Sequence, residues 1–392
     1  MNHLRIFLIL ITAILTIPLA NTALAQPHLI LGGEEEENDA MLLRPWQIEE
    51  GPDGNLYVLD GGDSCIKVYS PDGDYLRKLA GPGEGPGEFQ RTDGATFGFT
   101  TNGNVFFTEF FGGHRWITIM DLNGDLIQTL APQLQVNYGI KEATSLDGGG
   151  FLVQIAYDSD AYPVSSYYLY NMPQSLVRMD SLGAIVTEIV QTEHPMMISY
   201  TPNGGTSSLP FTPLFTWIAR PNDSIVWSDG MNPLLTVLDY SGQTVQEIDT
   251  KLPPPEKVTD ELLKSWKKDR KEFLLSRNPT WWNRFGRVIE DYDKSLFDQP
   301  VLRRISAAPA GHLLLEGPWN SDTEQRTYWL FDQLGTILST VSTDVSSLHI
   351  SANYLLYFSA NEDGSAAVNA VKWEGNVGEV LSLVKTDAAD QQ

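Results

Sequence analysis

One stretch limits what this chain can fold into more than any other. Pro45 to Phe89 reads PWQIEEGPDGNLYVLDGGDSCIKVYSPDGDYLRKLAGPGEGPGEF. Four short apolar runs, WQI, LYVL, IKVY and YLRKL, are each closed by turn residues. Runs of this length, rich in β-branched and aromatic residues and bounded by Gly, Pro and Asp, are strands. Asp53-Gly54 and Asp72-Gly73 supply the positive φ angles of tight hairpins. Leu56 to Leu59 is apolar on both faces, so this strand is covered from both sides. A single four-stranded meander buries too little to stand alone, so several must pack face to face.

The same punctuation returns along the chain. A second unit runs ATFGFT, TNGN, VFFTEF, RWITIMD and DLIQTL, with Gly103 lying 49 residues after Gly54. A third runs IKEATSL, FLVQIAY, SLVRMD and AIVTEIV, with an expected insertion from Asp158 to Gln174. A long loop is expected from Glu193 to Pro210. The fourth unit is LFTWIA, SIVWSD, LLTVLDY and TVQEID, and the fifth is VLRRISA, HLLLEG, TYWLFD and TILSTV. SLHISA, YLLYFSA and AVNAVKW make a sixth. Its outer strand comes either from VLSLVK or from the N-terminal segment His28 to Leu31. Strands from both chain ends would close a ring and remove the exposed edge.

With PDGNLYVLD, IKVYSPDGDYLRKL and GPGEGPGEF in this order, the first unit resembles an NHL-type blade. The GEGPGEF signature, Gly83 to Phe89, is similar to that of a large group of secreted bacterial six-bladed β-propellers. The resemblance implies an all-β fold: one six-bladed β-propeller of four-stranded antiparallel blades over residues 26–392, to which the residues themselves add a helical insertion at 252–300. It implies no activity, because propellers of this group serve many functions.

Residues 1–25 read as a secretory signal peptide. Arg5 precedes the apolar run Ile6 to Leu19, and Ala23-Leu24-Ala25 is a small-x-small cleavage site. The run is too short to span a membrane comfortably. The expected product is periplasmic or extracellular, monomeric, and without a membrane span after cleavage. Its one cysteine, Cys65, excludes an intrachain disulfide and is expected in a loop between strands. The chain carries 26 basic and 50 acidic residues, net −24. Only Arg5 is lost with the signal, leaving 25 basic against 50 acidic side chains. Such a balance excludes electrostatic binding to nucleic acid or anionic membrane. The cluster Glu34 to Glu37 with Asp39 reads as a solvated loop.

One segment is not β-like. Leu252 to Pro255 is a proline-rich stop, and Thr259 can cap a helix whose first turn holds Asp260 and Glu261. Leu262, Leu263, Trp266, Phe273 and Leu274 recur at helical spacing, with Lys264, Lys267, Lys268, Arg270 and Lys271 between them. Strand order makes this insertion a link from the outer strand of blade four to the inner strand of blade five. It is expected to cap the mouth of the central channel.

Two readings of function follow. The first is a non-catalytic binding module, without cofactor, for a protein, peptide or glycan. Trp281, Trp282, Tyr167, Tyr168, His114 and Arg115 are its candidate contacts. The alternative is a metal-dependent lactonase or lyase with Ca²⁺ or Zn²⁺ on the axis. Second strands tend to end in a carboxylate, at Asp60, Glu109, Asp229 and Glu316, and a ring of such acids could hold a hard cation. The local reading of each acid is that it accepts backbone N–H groups of its own loop. The resemblance favours that reading, since NHL-type blades commonly carry an Asp there. Zinc lyases among similar propellers gather histidines at the axis, and His114 is the candidate for that position. The histidines show no ligand spacing, and His312 and His349 read as strand or turn residues. GPGEGPG lacks the lysine and hydroxyl residue of a phosphate loop, and no G-x-S-x-G elbow occurs.

Overall fold

The computed structural model describes residues 28–32, 39–110, 115–135, 138–157, 168–200, 205–208, 210–277, 298–320, 323–360 and 366–384. Within the insertion it adds positions 280, 282, 283, 286, 289, 290 and 292. The segment read as a signal peptide lies outside these residues, as does the cluster Glu34 to Glu37.

Six antiparallel sheets follow one another along the chain and form the blades of a β-propeller. The innermost strands are Pro45–Glu50, Thr96–Phe99, Tyr138–Ser145, Thr216–Arg220, Arg304–Ala308 and Ser346–Ile350. Each blade then runs outward, strand by strand, through tight turns. Both faces of every sheet are apolar because neighbouring blades cover both. Six separate cores lie between successive blades. Between blades one and two, for example, Leu59, Ile66 and Val68 pack on Phe97, Val105 and Phe107. All of Leu56, Tyr57, Val58 and Leu59 are fully buried, as their two-faced apolarity requires. Each such side chain contributes about 2 kcal/mol by leaving water.

Inner strands of adjacent blades diverge, so side chains replace the missing ladder. Gln47 donates to the Phe97 carbonyl at 2.8 Å and accepts the Phe97 N–H at 3.0 Å. The Trp217 indole donates to Gln154 at 3.0 Å between blades four and three, and the Ile305 N–H donates to Thr216 at 2.9 Å. The glycine-rich loop after blade one serves the same end. The Gly85 N–H donates to Glu88 at 2.8 Å, and Phe89 enters the core against Phe107, 4.2 Å between ring centres. A Cβ on Gly83 would stand 1.9 Å from the Glu88 carboxylate, so a side chain there would displace Glu88 from the Gly85 N–H.

The ring is closed by the N-terminal strand. His28–Leu31 pairs antiparallel with Ala366–Lys372 and forms the outer edge of blade six. The competing segment around VLSLVK is a 3₁₀ helix, Val377–Leu383. It places Val380 and Leu381 in the core between blades five and six.

Four expectations are corrected. The insertion expected to reach Gln174 is shorter, because Tyr168–Met179 is one continuous strand. Cys65 is not in a loop; it opens the strand Cys65–Tyr69, is buried, and its thiol is pushed up to about 12 by burial. Residues 193–200 are not loop but the continuation of the strand Ile185–Tyr200. Pro195 falls where the pairing shifts register between Tyr170 and Met172, a place a strand tolerates proline. A fifth strand, Gly205–Ser208, extends this blade, so blade three is not four-stranded.

Strand order assigns each connection to a face. Turns between second and third strands share one face with the links from blade to blade, and the helical insertion stands there. Asp60, Glu109, Asp229 and Glu316 lie at that face as well.

Leu31 is 1 % exposed and sits in the core between blades six and one. Leu31→Ala is expected to destabilise the protein by about 3 kcal/mol in urea unfolding. A loss below about 1 kcal/mol would mean that the N-terminal strand does not hold the ring.

Candidate functional site

The four strand-end acids come first. Asp60 accepts N–H groups from Leu43 at 2.9 Å, Arg44 at 2.8 Å and Gly62 at 3.0 Å. It also pairs with Lys67 at 3.2 Å, both side chains wholly buried. Burial works to lower the Lys67 pKa, but Asp63 at 2.5 Å and Asp60 outweigh it, and the net shift is upward. Glu109 accepts the Arg91 N–H at 2.7 Å, and Asp229 accepts the Met231 N–H at 2.9 Å. Glu316 pairs with Arg326 and, at 3.6 Å, with Arg303. Each acid is thus held by its own blade or the adjoining connection. Among the described residues, no three His, Cys, Asp or Glu side chains come together as a metal site requires.

His114, Tyr167 and Trp281 lie outside the described residues. Tyr168 opens the strand Tyr168–Met179 and pairs with Ser199, though its side chain is not among those described. Arg115 is exposed, its guanidinium 5.9 Å from the centre of the Tyr138 ring. Trp282 belongs to the insertion.

That insertion is built around the helix Asp260–Arg277, labelled α1. The Thr259 hydroxyl accepts the Leu262 N–H at 3.2 Å and caps it. Leu263 and Leu274 are buried on one side, as their spacing requires. The following segment folds back along α1. The Trp266 and Tyr292 rings meet edge to face at 6.0 Å, and Lys267 donates to the Glu290 carbonyl at 2.9 Å. Lys271 lies 4.9 Å from the Trp282 ring centre. A Cβ on Gly286 would come within 2.6 Å of that ring. Trp266 and Trp282 therefore pack the insertion together. The described contacts that seat it run to its own ends and to blades four and five. Gln299 N–H donates to Glu256 at 2.6 Å, and Val301 N–H to Gly230 at 2.9 Å.

Between the first turns of α1 and blade five lies a cleft of about 520 Å³. Its floor holds two tryptophans that sequence reading passed over, Trp319 and Trp329. The strand His312–Asn320 shifts register between Glu316 and Trp319, and Gly317-Pro318 forms the irregularity. A side chain on Gly317 would collide with the Trp329 ring at 2.8 Å. The bulge turns Trp319 toward the cleft and leaves it 39 % exposed. Arg326, 5.5 Å from the Trp319 ring centre, is itself fixed by Glu316. A Gly-Pro pair inside an otherwise apolar strand is the sequence signal that could have found this feature. Opposite stand Pro253, Pro254, Glu256, Glu261 and Leu262, with Gln299 and Asn320 at the sides.

A second constellation lies on the propeller axis. Glu49 of blade one pairs with His349 of blade six at 3.2 Å. Burial works to raise the Glu49 pKa, but His349 beside it outweighs burial and brings it down. Burial works to lower His349, Glu49 overrides it, and the net shift is upward. Glu142 of blade three is raised by burial, while Arg304 of blade five and Glu49 both act on its charge. Blades one, three and five are not neighbours, so these groups sense one another only across the axis. Lys141 is the extra residue of a bulge between Ile140 and Glu142. Burial lowers its pKa, and its ammonium donates to Gln174 at 3.2 Å.

No family model matches the sequence, and no curated protein matches it. Among solved structures it is similar to a protein of Bacteroides fragilis for which only export has been suggested. Identity is 11 %, coverage 89 % of this chain and 96 % of the other, and TM-score 0.49. A member of the DUF4221 family from Bacteroides vulgatus matches at 10 % identity, covering 90 % and 98 %, with TM-score 0.47. Virginiamycin B lyase from Staphylococcus aureus matches at 10 % identity, covering 89 % and 99 %, with TM-score 0.43. Likeness at this level transfers no chemistry.

The Glu49–His349 pair sets a pH dependence. His349 is raised above its ordinary 6.5 in the fold, so its contribution is full below that value and fades as pH rises through the raised one. Glu49 is lowered below its ordinary 4.5, so its contribution is full above that value and is lost as pH falls through the lowered one. The pair therefore stabilises most in the window between the two ordinary values. His349→Gln is expected to cost about 1 kcal/mol at pH ~5.5 and progressively less toward pH ~9. An equal loss at both pH values in denaturant titrations would contradict the pairing.

Proposed function

We propose that this chain is an exported binding module that holds a neutral oligosaccharide in the cleft between α1 and blade five. The observation that carries this reading is Trp319. A bulge directs it outward, a cation stacks against it, and the ring stays accessible in a concave site. A large apolar ring left accessible in a cleft is a binding feature more than a packing one. Its flat face suits the C–H face of a sugar, while Asn320, Gln299, Glu256 and Glu261 offer planar polar groups to hydroxyls. The net charge of −24 works against anionic ligands.

Export rests on the N-terminal segment, Arg5 through Ala25, and no described helix is long and apolar enough to cross a membrane. In this reading the insertion, expected to cap the channel mouth, acts as one wall of the cleft. Trp282 packs within the insertion and Arg115 lies against Tyr138, so neither lines the cleft, and Trp319 supplies the stacking platform.

Titration with maltohexaose, cellohexaose, xylohexaose and chitohexaose, followed by tryptophan fluorescence, tests the proposal. At least one should bind with a dissociation constant below about 1 mM, and Trp319→Ala should weaken it tenfold or more, about 1.4 kcal/mol. Trp319 is partly exposed, so the variant should fold as the parent does. Binding by none of the four, or binding indifferent to Trp319→Ala, would refute it.

A further inference from the structure

Blade three carries a buried polar chain that has no part in the cleft. The Trp217 indole N–H donates to Gln154 Oε1 at 3.0 Å. Gln154 Nε2 donates to Gln174 Oε1 at 2.6 Å, and the Lys141 ammonium donates to the same oxygen at 3.2 Å. Both glutamines are buried, Gln174 completely. The two ends of this chain, an indole and an ammonium, can only donate. They fix which way each amide points, since turning either one over would set N–H against N–H. Gln174 Nε2 is therefore turned away from them, and it has no hydrogen-bond partner. A buried donor in that state is costly.

Lys141 is also short of partners. Among the described residues, Gln174 Oε1 is its one hydrogen-bond acceptor, and no carboxylate lies within ion-pair distance. Glu142, next in sequence, acts on its charge without pairing with it. Its other neighbour is the Phe110 ring, centred 5.8 Å away and packed on Ala156 and Met172. The two unmet donors stand close together. The nitrogen and oxygen of one amide are less than about 2.6 Å apart, so Lys141 Nζ and Gln174 Nε2 lie within about 5.8 Å of each other. One acceptor atom at an ordinary hydrogen-bond length of about 2.9 Å reaches both.

We propose that Lys141 and Gln174 form a binding site for a small monovalent anion, a halide ion or the carboxylate of a small acid, held between the ammonium and the Gln174 Nε2 group.

Three observations favour an anion over water. Water would satisfy the amide and leave the charge of Lys141 unpaired. Burial lowers the Lys141 pKa, and an anion beside the ammonium would restore its charged form. The strand is built to present this side chain, because the bulge between Ile140 and Glu142 inserts Lys141 as its extra residue. Lys141 is half-buried and Gln174 closed off, so the ion enters past the lysine. The chain as a whole is strongly acidic, net −24, so diffuse attraction of anions is not a source of binding here.

Calorimetric titration of salt-free protein with sodium chloride, sodium formate and sodium acetate tests the proposal. At least one salt should bind one-to-one with a dissociation constant below about 5 mM. Tighter binding of chloride assigns the site to halides, and tighter binding of formate or acetate assigns it to carboxylates. Lys141→Met should weaken binding tenfold or more. It keeps the stem against Phe110 and removes an unpaired charge, so it should fold as the parent does. Gln174→Glu sets a carboxylate of the protein's own beside the ammonium. That variant should bind no anion and should melt above the parent in salt-free buffer. Binding by none of the three salts, binding unchanged in Lys141→Met, or parent-like binding in Gln174→Glu would each overturn it. The site shares no residue with the cleft, so this test stands whichever way the oligosaccharide test falls.

Discussion

Everything in this molecule depends on closing a ring of sheets. A blade whose strands are apolar on both faces is insoluble alone and must be covered twice. Six cores between six blades satisfy this only if the last blade meets the first. The chain secures that meeting with strands from both ends in one sheet, His28–Leu31 against Ala366–Lys372. Leu31 reaches the same core as Ile48, Leu56 and Phe358, so the pairing and the final interface form together. Two further ties reinforce the seam: Glu50 accepts the Asn353 N–H at 3.0 Å, and the Tyr354 hydroxyl donates to the Pro71 carbonyl at 3.3 Å.

A closed ring fixes where chemistry can occur. Because each blade presents two edges of turns and one inner strand, side chains free of packing duty gather on a face or on the axis. The face that receives the blade-to-blade links carries α1 and the bulged strand of blade five, and these meet in the cleft. The inner strands of blades one, three, five and six bring Glu49, Lys141, Glu142, Arg304 and His349 toward the axis. The strand-end acids, by contrast, are absorbed by the architecture. Asp60 is the clearest case, with three backbone donors and a buried lysine. Removing one member of such a buried pair leaves an uncompensated charge, so its role in holding the fold is enough to explain it.

The fold was legible because strands and turns are written locally. The turns at Gly54, Gly73, Gly103 and Gly124 all take positive φ, as the Asp-Gly and Asn-Gly pairs required. Thr259 caps α1 as its position suggested. What was not legible depends on contacts between distant segments. His349 looked like an ordinary strand residue, and its partner Glu49 lies 300 positions away. Glu142 and Arg304 carry no spacing signal, since the axis that joins them exists only in the closed ring. Trp319 was hidden differently, because a Gly-Pro bulge reverses the inside-outside alternation by which strand residues are sorted. Pro195, inside the segment expected to be loop, marks an irregularity within a strand and not its end.

The proposed ligand site is the cleft between α1 and blade five. Amide hydrogen exchange in the presence and absence of a saturating bound hexasaccharide tests it most directly. Slowed exchange confined to residues 255–266 and 316–329, with the other five blades unchanged, is the predicted result. Slowed exchange elsewhere on the propeller, with these two segments unaffected, would contradict it.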